Sequence, residues 1–522
     1  MRGEIDIEKG GIRLYGQPLT LNAYENDNSS SIGCCLSVPL STRTSNFSVN
    51  SGNNFIPFIN ILHVEKATSI MNGEIEITFA YPIDGKMNLT ENQSLEFQLP
   101  YEDAKREYIP KNITLKISDS ENENDIEAID DIIGKIMSLS YPFSKKRPRI
   151  YVLINPHSGK GEAVKIYNEQ AKPIIIGSHC EVTVQHTEYS GHATDIAENI
   201  DIDKYDMILC ASGDGIPYEV INGFYKREDK CKAFSKINIV QIPGGSGNAM
   251  SLSCLGATSS SLAILRALKG KSSQIDLMAI SKESSNEIIL SFLSQTYGAI
   301  AQADIGTEWI RSIGSIRFDL GVAYEVLNNR KYPFDLAVKM VCRDNSEIIK
   351  HFENVKDIED RELTQEDFKL KYNEEFQNNA NINNLPESWE IYDEKISNNA
   401  NIFYAGKMPY VSGNTNFFPA ALPNDGLIDL VVFDSRYKAM QNSKALLSLD
   451  KGTHVWEDCV EHFKVSAYRL IPKKNRKCYI SVDGEKFPYE AFQVEVLHKV
   501  MRTILWEGSV YTGSGYLENC KI

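Results

Sequence analysis

The chain is 522 residues long, more than one hydrophobic core ordinarily holds, so two or three domains are expected. Hydrophobic residues make up 42%, the content of a globular enzyme and too high for wholesale disorder. The formal charge of -15 at pH 7 argues against nucleic acid as a partner, since only Lys145, Lys146, Arg147 and Arg149 cluster as a basic patch would need.

The N-terminus carries no basic and apolar signal pattern, and no stretch reaches the roughly 18 to 20 apolar residues of a membrane-spanning helix. The chain is therefore expected neither to cross a membrane nor to be secreted, and sequons such as those at Asn88 and Asn112 to stay unused. Ten cysteines and nine histidines include no C-x-x-C pair and no zinc-like spacing, which fits a reducing compartment and leaves no metal-ligand set to assign. Cys34 and Cys35 are adjacent, and read either as an S-acylation site or as two buried thiols.

Residues 1–145 alternate in strand fashion at Ile75-Glu76-Ile77-Thr78-Phe79 and Leu95-Glu96-Phe97-Gln98-Leu99, then turn helical from Asp125 to Leu139. This predicts a small β-rich module, followed by a proline-punctuated basic linker from Tyr141 to Pro148.

From 146 to 275 the pattern becomes four short apolar runs, each leading into a polar or glycine turn and then a helical period. Arg149 to Ile154 leads into Asn155 to Gly161, and Glu181 to Gln185 into Thr187 to His192; Asp206 to Ala211 leads into Ser212 to Gly215, and Ile237 to Ile242 into Pro243 to Asn248. Buried strands alternating with helices imply a parallel sheet covered on both faces, with ligands beyond the carboxyl ends of the strands. All four turns lie at that edge.

Beyond residue 276 the strands lengthen, as in Glu287 to Leu293, Phe334 to Val341 and Leu427 to Phe433, which predicts a β-rich domain over 276–510. An insertion at 345–400 interrupts it. Residues 353–394 hold thirteen Asp or Glu against four Lys or Arg, with few apolar anchors, and read as a solvated segment.

Three of the turns carry chemistry. Asn155-Pro156-His157-Ser158-Gly159-Lys160-Gly161, Ser212-Gly213-Asp214-Gly215 and Pro243-Gly244-Gly245-Ser246-Gly247-Asn248 each open a helix, where backbone N–H groups can hold phosphate oxygens. Neither G-x-x-x-x-G-K-[ST] nor G-x-G-x-x-G occurs, so P-loop and dinucleotide-binding readings lose their main support. Three glycine turns on one edge favour a nucleotide held by amides, with Asp214 the one central carboxylate. On the following helix Gly215, Glu219 and Asn222 share a face.

Ser212-Gly213-Asp214-Gly215-Ile216-Pro217-Tyr218-Glu219-Val220-Ile221-Asn222-Gly223, Pro243-Gly244-Gly245-Ser246-Gly247-Asn248-Ala249, Ser294-Gln295-Thr296-Tyr297-Gly298, Phe417-Phe418-Pro419-Ala420-Ala421-Leu422-Pro423 and Val482-Asp483-Gly484-Glu485-Lys486-Phe487-Pro488 resemble the signatures of the sphingosine kinase family, most closely the fungal sphingoid long-chain base kinases. The resemblance implies a diacylglycerol-kinase-like, doubly wound α/β nucleotide domain followed by an antiparallel β-sandwich that binds lipid. It implies an ATP- and Mg2+-dependent kinase acting on the primary hydroxyl of a sphingoid base, peripheral on the cytosolic face of a membrane, with Cys34 and Cys35 acylated as in fungal relatives. Dimerisation stays open.

The resemblance also implies roles. Asp214 matches the general base, with Ser212, Gly213 and Gly215 lining the substrate hydroxyl. Asn155, Pro156, His157, Ser158, Gly159, Lys160, Thr187, Glu188, Tyr189, Ser190, Gly191, Glu219, Gly245, Ser246 and Gly247 match nucleotide-contacting positions. Asp304 matches the carboxylate that pairs with the substrate ammonium, Arg311 and Arg317 match phosphate-binding arginines, and Asp483, Gly484 and Glu485 match a loop closing over the nucleotide. Phe318, Leu446, Leu449 and His454 are candidates for the acyl pocket, or plain core. His157 and Glu162 depart from the arginine and lysine of animal members. The competing classes are another kinase, for diacylglycerol, ceramide or NAD, and a non-catalytic lipid-binding protein; Asp304 and the Ser294 to Gly298 signature speak against the first, and Asp214, Lys160, Arg311 and Arg317 against the second.

Overall fold

The computed structural model describes residues 4–8, 11–15, 22–23, 55–67, 74–84, 104–116, 123–159, 161–306, 321–322, 324–325, 328–354, 359–383, 385–413, 415–473 and 478–516. The N-terminal module consists of two antiparallel sheets. One pairs Glu4–Glu8, Gly11–Tyr15 and Phe55–Pro57; the other orders Asn22–Ala23, Tyr108–Lys116, Glu74–Pro82 and Ile61–Lys66. The alternation at Ile75, Ile77 and Phe79 points those side chains inward, where Ile129, Ile136 and Met137 of the helix Glu123–Ser140 cover them. The second alternating patch, 95–99, lies outside the described residues.

This module is fixed to its neighbour by a buried lysine. Lys269 ends the helix Ser260–Lys269 and donates to the carbonyls of Ile61 and of Ser140, the latter at 2.9 Å, with its ammonium 3.2 Å over the Tyr141 ring. Burial drives that ammonium well below its ordinary pKa. The linker is not the open basic stretch its composition suggests: Lys145 and Arg149 share Asp206, and Arg147 turns inward to the ring of His63.

Four parallel strands form the nucleotide-side sheet, in the order Asn238–Pro243, Met207–Ser212, Ile150–Ile154, Val182–His186. Its central strands are buried along their whole length, which is why the sequence shows continuous apolar runs there. Helices His192–Asn199 and Gly215–Lys226 pack together on one face, and Ser260–Lys269 packs with the helical turns Tyr167–Ala171 on the other. The expected doubly wound arrangement is what is found.

The strand Lys271–Lys282 opens the second unit a few residues before the expected boundary at 276, and pairs along its length with Phe492–Leu505. These belong to one large antiparallel sheet that also includes Ser285–Ser291, Val460–Pro472, Ile428–Asp434, Ala400–Gly406, Ser294–Gly298, Ile480–Val482 and Glu485–Phe487. Val460–Pro472 changes partners along its course: its first half pairs with Ile428–Asp434, its second with Phe492–Leu505, while Phe334–Cys342 runs along its other edge. A strand that passes between two layers makes the corner of a sandwich. Tyr297, Phe403, Phe417, Phe433, Tyr468 and Phe492 fill its interior.

The acidic insertion corrects an expectation: it is packed, not solvated. Phe376 lies against Ala380 and Ala491 with the Arg469 guanidinium 5.1 Å over its ring, and Trp389 against Ala337 and Ala467. Phe368 packs instead on Tyr225 and Phe234, and most of the described acids of the segment are exposed. Among the described residues no single helix is long and apolar enough to cross a membrane.

Candidate active site

The three glycine turns converge. A Cβ on Gly159 would lie 3.2 Å from Gly245 Cα; one on Gly213 would lie 2.9 Å from Gly247 O; one on Gly245 would overlap the backbone of Gly213. Backbone packed this closely admits only glycine. Ser158 Oγ, accepting the Gly213 N–H at 3.0 Å, joins the first turn to the second, and the Gly244 N–H donating to Ser212 O at 3.2 Å joins the third.

Asp214 sits where they meet, half-buried at the start of Gly215–Lys226. Its carboxylate accepts the N–H groups of Ala249 and Met250 at 3.1 and 3.2 Å and the Gln241 amide at 3.1 Å. Burial pushes its carboxyl above the usual range, and those three hydrogen bonds pull against that rise.

Several candidate groups are committed to the framework. The N–H groups of His157 and Ser158 close onto Asn155, and those of Gly244 and Gly245 onto Asn248 Oδ1, each at 3.2 Å. The amides of Ser246 and Gly247 have no partner among the described residues and remain for an anion. On the neighbouring strand, Thr187 is buried, and Glu188, Tyr189 and Ser190 are exposed before Gly191 turns at φ +88° into the next helix. Tyr189 stacks on His192 at 4.4 Å. Glu219 Oε2 accepts the Ala193 N–H at 3.0 Å, so it orders this loop and does not point freely into the crevice.

The sandwich supplies the opposite wall. Asp304 ends the helix Ala299–Asp304 and accepts Ser481 Oγ–H at 3.0 Å. Tyr404, from Ala400–Gly406, accepts Ser294 Oγ–H through its hydroxyl at 3.4 Å and lies within electrostatic reach of Asp304, Asp483 and Asp214. Glu485 reaches the Asp214 turn, its Oε1 3.7 Å from where a Gly215 Cβ would be, and Gly484 is exposed beside it. Asp483 differs from its expected part in a closing loop. It is buried, with φ +50°, and accepts Ser291 Oγ–H at 2.6 Å and the N–H groups of Phe292, Leu293 and Ser294. Burial raises its carboxyl to about 6.

His454 is fully buried between Phe417 and Phe433, its Nε2 3.0 Å from Phe417 O; burial lowers it to about 3, so it is neutral. Leu446 and Leu449 are half-buried against the same core. Lys160, Arg311, Arg317, Phe318, Cys34 and Cys35 lie outside the described residues. Elsewhere His63, Glu65 and His179 come within ligating distance of one another, but the Arg147 guanidinium stands 2.9 Å from the His63 ring and already supplies a cation. Gln241, Asn248, Ser481 and Tyr404 were missed as site residues. Only Gln241 left a signal, as the one amide in the run Ile239 to Ile242.

Comparison with known proteins follows the same division. The diacylglycerol kinase catalytic domain family matches residues 149–280, and the YegS C-terminal NAD kinase beta sandwich-like domain matches 370–505. Sphingoid long chain base kinase 4 of Schizosaccharomyces pombe is 34% identical over 386 residues, covering 73% of this chain and 80% of its own. The chain belongs to the sphingosine kinase family. Sphingoid long chain base kinase 5 of Saccharomyces cerevisiae is 40% identical over 461 residues, covering 77% of this chain and 66% of the relative, and sphingosine kinase 1 of Arabidopsis thaliana is 31% identical over 353 residues, covering 65% and 68%. Within this family of lipid kinases, the convergence of glycine turns on Asp214 falls inside the matched catalytic domain, and Glu485 inside the matched sandwich.

Proposed function

We propose that this chain transfers the γ-phosphoryl group of ATP to the 1-hydroxyl of a sphingoid long-chain base, giving the 1-phosphate. The observation that carries the reading is Asp214 at the junction of three glycine turns, and the electrostatic reach of both Asp214 and Asp304 to Tyr404 supports it. Asp214 takes the hydroxyl proton, with Ser212, Gly213 and Gly215 beside it. The unpartnered amides of Ser246 and Gly247 and the close backbone at Gly159 and Gly245 suit a triphosphate. Lys160, Arg311 and Arg317 carry the roles the family resemblance implies, as cations for developing charge. Mg2+ bound to ATP would offset the charge of its phosphates, and no side chain is assigned to it. Asp304 holds the substrate ammonium, a cation that diacylglycerol and ceramide lack.

A long-chain substrate resides in bilayers, so we place the enzyme peripherally on a cytosolic membrane face, with Cys34 and Cys35 as acylation sites. Replacing both by serine should move it from membrane pellet to supernatant, and unchanged fractionation would exclude that anchor. The activity is tested with radiolabelled ATP across sphinganine, phytosphingosine, sphingosine, diacylglycerol and ceramide. Label is expected in the sphingoid bases alone. Label confined to diacylglycerol or ceramide would refute the assignment, and no label in any lipid would favour a non-catalytic lipid binder.

A further inference from the structure

The helix Ala249–Leu255 opens with three backbone N–H groups that its own turn cannot satisfy, and side chains from two strand ends take all three. Ala249 N–H donates to Asp214 Oδ2, Met250 N–H to Asp214 Oδ1, and Ser251 N–H to Gln241 Oε1 at 2.8 Å. Asn248, at the N-cap, makes no cap bond because its side chain serves Gly244 and Gly245.

Gln241 therefore bridges the helix and the carboxylate. It is 1% exposed, between Val240 and Ile242, where an amide is tolerated only if both of its ends are paired. Both are. The Ser251 N–H can only donate, which fixes the oxygen end of the amide and aims its NH2 at Asp214 Oδ1, 3.1 Å away.

A carboxylate oxygen has two good acceptor directions. On Oδ1 both are filled, by Gln241 and Met250. On Oδ2 one is filled, by Ala249, and its other side faces Gly247, where a Cβ would stand 2.9 Å away. We propose that Gln241 is a positioning residue for phosphoryl transfer: by saturating Oδ1 it leaves Oδ2, on the Gly247 side, as the oxygen that accepts the lipid hydroxyl proton, and its N–H donation favours the charged form of the carboxylate. In the step itself the hydroxyl O–H bond breaks and its proton passes to Oδ2. The freed electron pair forms the new O–P bond as the bond from the γ-phosphorus to ADP breaks. This inference rests on Asp214 being the base.

Other groups around Asp214 stay fixed when Gln241 changes. Cys254, from the same helix, and Tyr404, from the sandwich, are both held neutral by burial, and Glu485 stands beyond Gly215. Loss of the Gln241 hydrogen bond favours the protonated acid, so the acid limb of the activity profile must move to higher pH.

The test is turnover against pH for the full chain with ATP, Mg2+ and sphinganine, in wild type, Gln241→Met and Gln241→Glu. The acid limb is expected to rise by about one pH unit in Gln241→Met, with turnover on that limb down about ten-fold and KM for ATP unchanged. Gln241→Glu keeps an acceptor for Ser251 but sets a second carboxylate beside Asp214, and its limb should rise further. An unmoved limb in either variant that still binds ATP overturns the inference; if Gln241→Met does not fold, Gln241→Glu decides. Asp214→Asn is measured alongside. Near wild-type turnover there would remove the base assignment itself, whereas an inactive Asp214→Asn with unmoved Gln241 limbs would remove only the role of Gln241.

Discussion

Gly245 and Gly213 meet backbone against backbone, so that a methyl group on Gly245 would stand 2.4 Å from the Cα and N of Gly213 and 3.0 Å from Ser158 Oγ. Neither partner can yield, since Gly213 is tied through its N–H to Ser158 and Gly244 through its N–H to Ser212. Gly245→Ala should therefore cost about 1–3 kcal/mol of stability and push apart two of the turns that flank Asp214. Thermal melting reads the first effect and ATP affinity the second; a variant with wild-type ATP affinity would mean that the contact does not shape the nucleotide site.

Asp214→Asn tests chemistry with little change of shape. The variant oxygen can keep the hydrogen bonds from Gln241 and Met250, but its NH2 then faces the Ala249 N–H, donor against donor. Turnover should fall by about 100- to 10,000-fold, while ATP binding, proposed to use the amides of Ser246 and Gly247, should persist. Equilibrium nucleotide binding beside single-turnover phosphorylation separates the two. Turnover near wild type would mean that another group takes the proton.

Asp304 accepts Ser481 Oγ–H on one oxygen, which orients the carboxylate. Asp304→Asn retains the size and an acceptor but removes the charge. KM for sphinganine should rise about ten-fold or more with KM for ATP unchanged. A rise in the ATP constant alone would place Asp304 on the nucleotide side.

What the sequence made legible was local. Each glycine turn follows a buried apolar strand and opens a helix, so Asp214, Gly213 and Gly245 could be placed on one sheet edge from periodicity alone. Contacts between distant segments left no such trace. Asp483 accepts the Leu293 N–H across 190 residues of sequence, and nothing beside it in the chain marks it as a buried framework carboxylate rather than part of a closing loop. The acidic insertion misled for a related reason: composition weighs its charges, whereas Phe376 and Trp389 meet the sheet one at a time. Gln241 is intermediate, a polar interruption in an apolar strand whose partner only the fold supplies.

Asp483 gives stability a pH dependence of defined sign. Its carboxyl titrates at about 6 in the folded chain against an ordinary 3.8, because burial outweighs the four hydrogen bonds it accepts. Between those values the folded state keeps a proton that the unfolded state has released. Stability from this group is therefore greatest below about pH 4, falls as pH rises to about 6 and is flat above, a change of roughly 1–3 kcal/mol. Asp483→Asn cannot ionise. Its amide oxygen can keep the bonds from Ser291, Leu293 and Ser294, while its NH2 opposes the Phe292 N–H, a penalty that does not vary with pH. Denaturant unfolding of both proteins at intervals from pH 4 to 7 should show wild type losing stability relative to the variant across that window. A difference constant with pH would mean that Asp483 is ionised throughout, and that the turn at Ser291 to Ser294 stabilises its charge more strongly than burial opposes it.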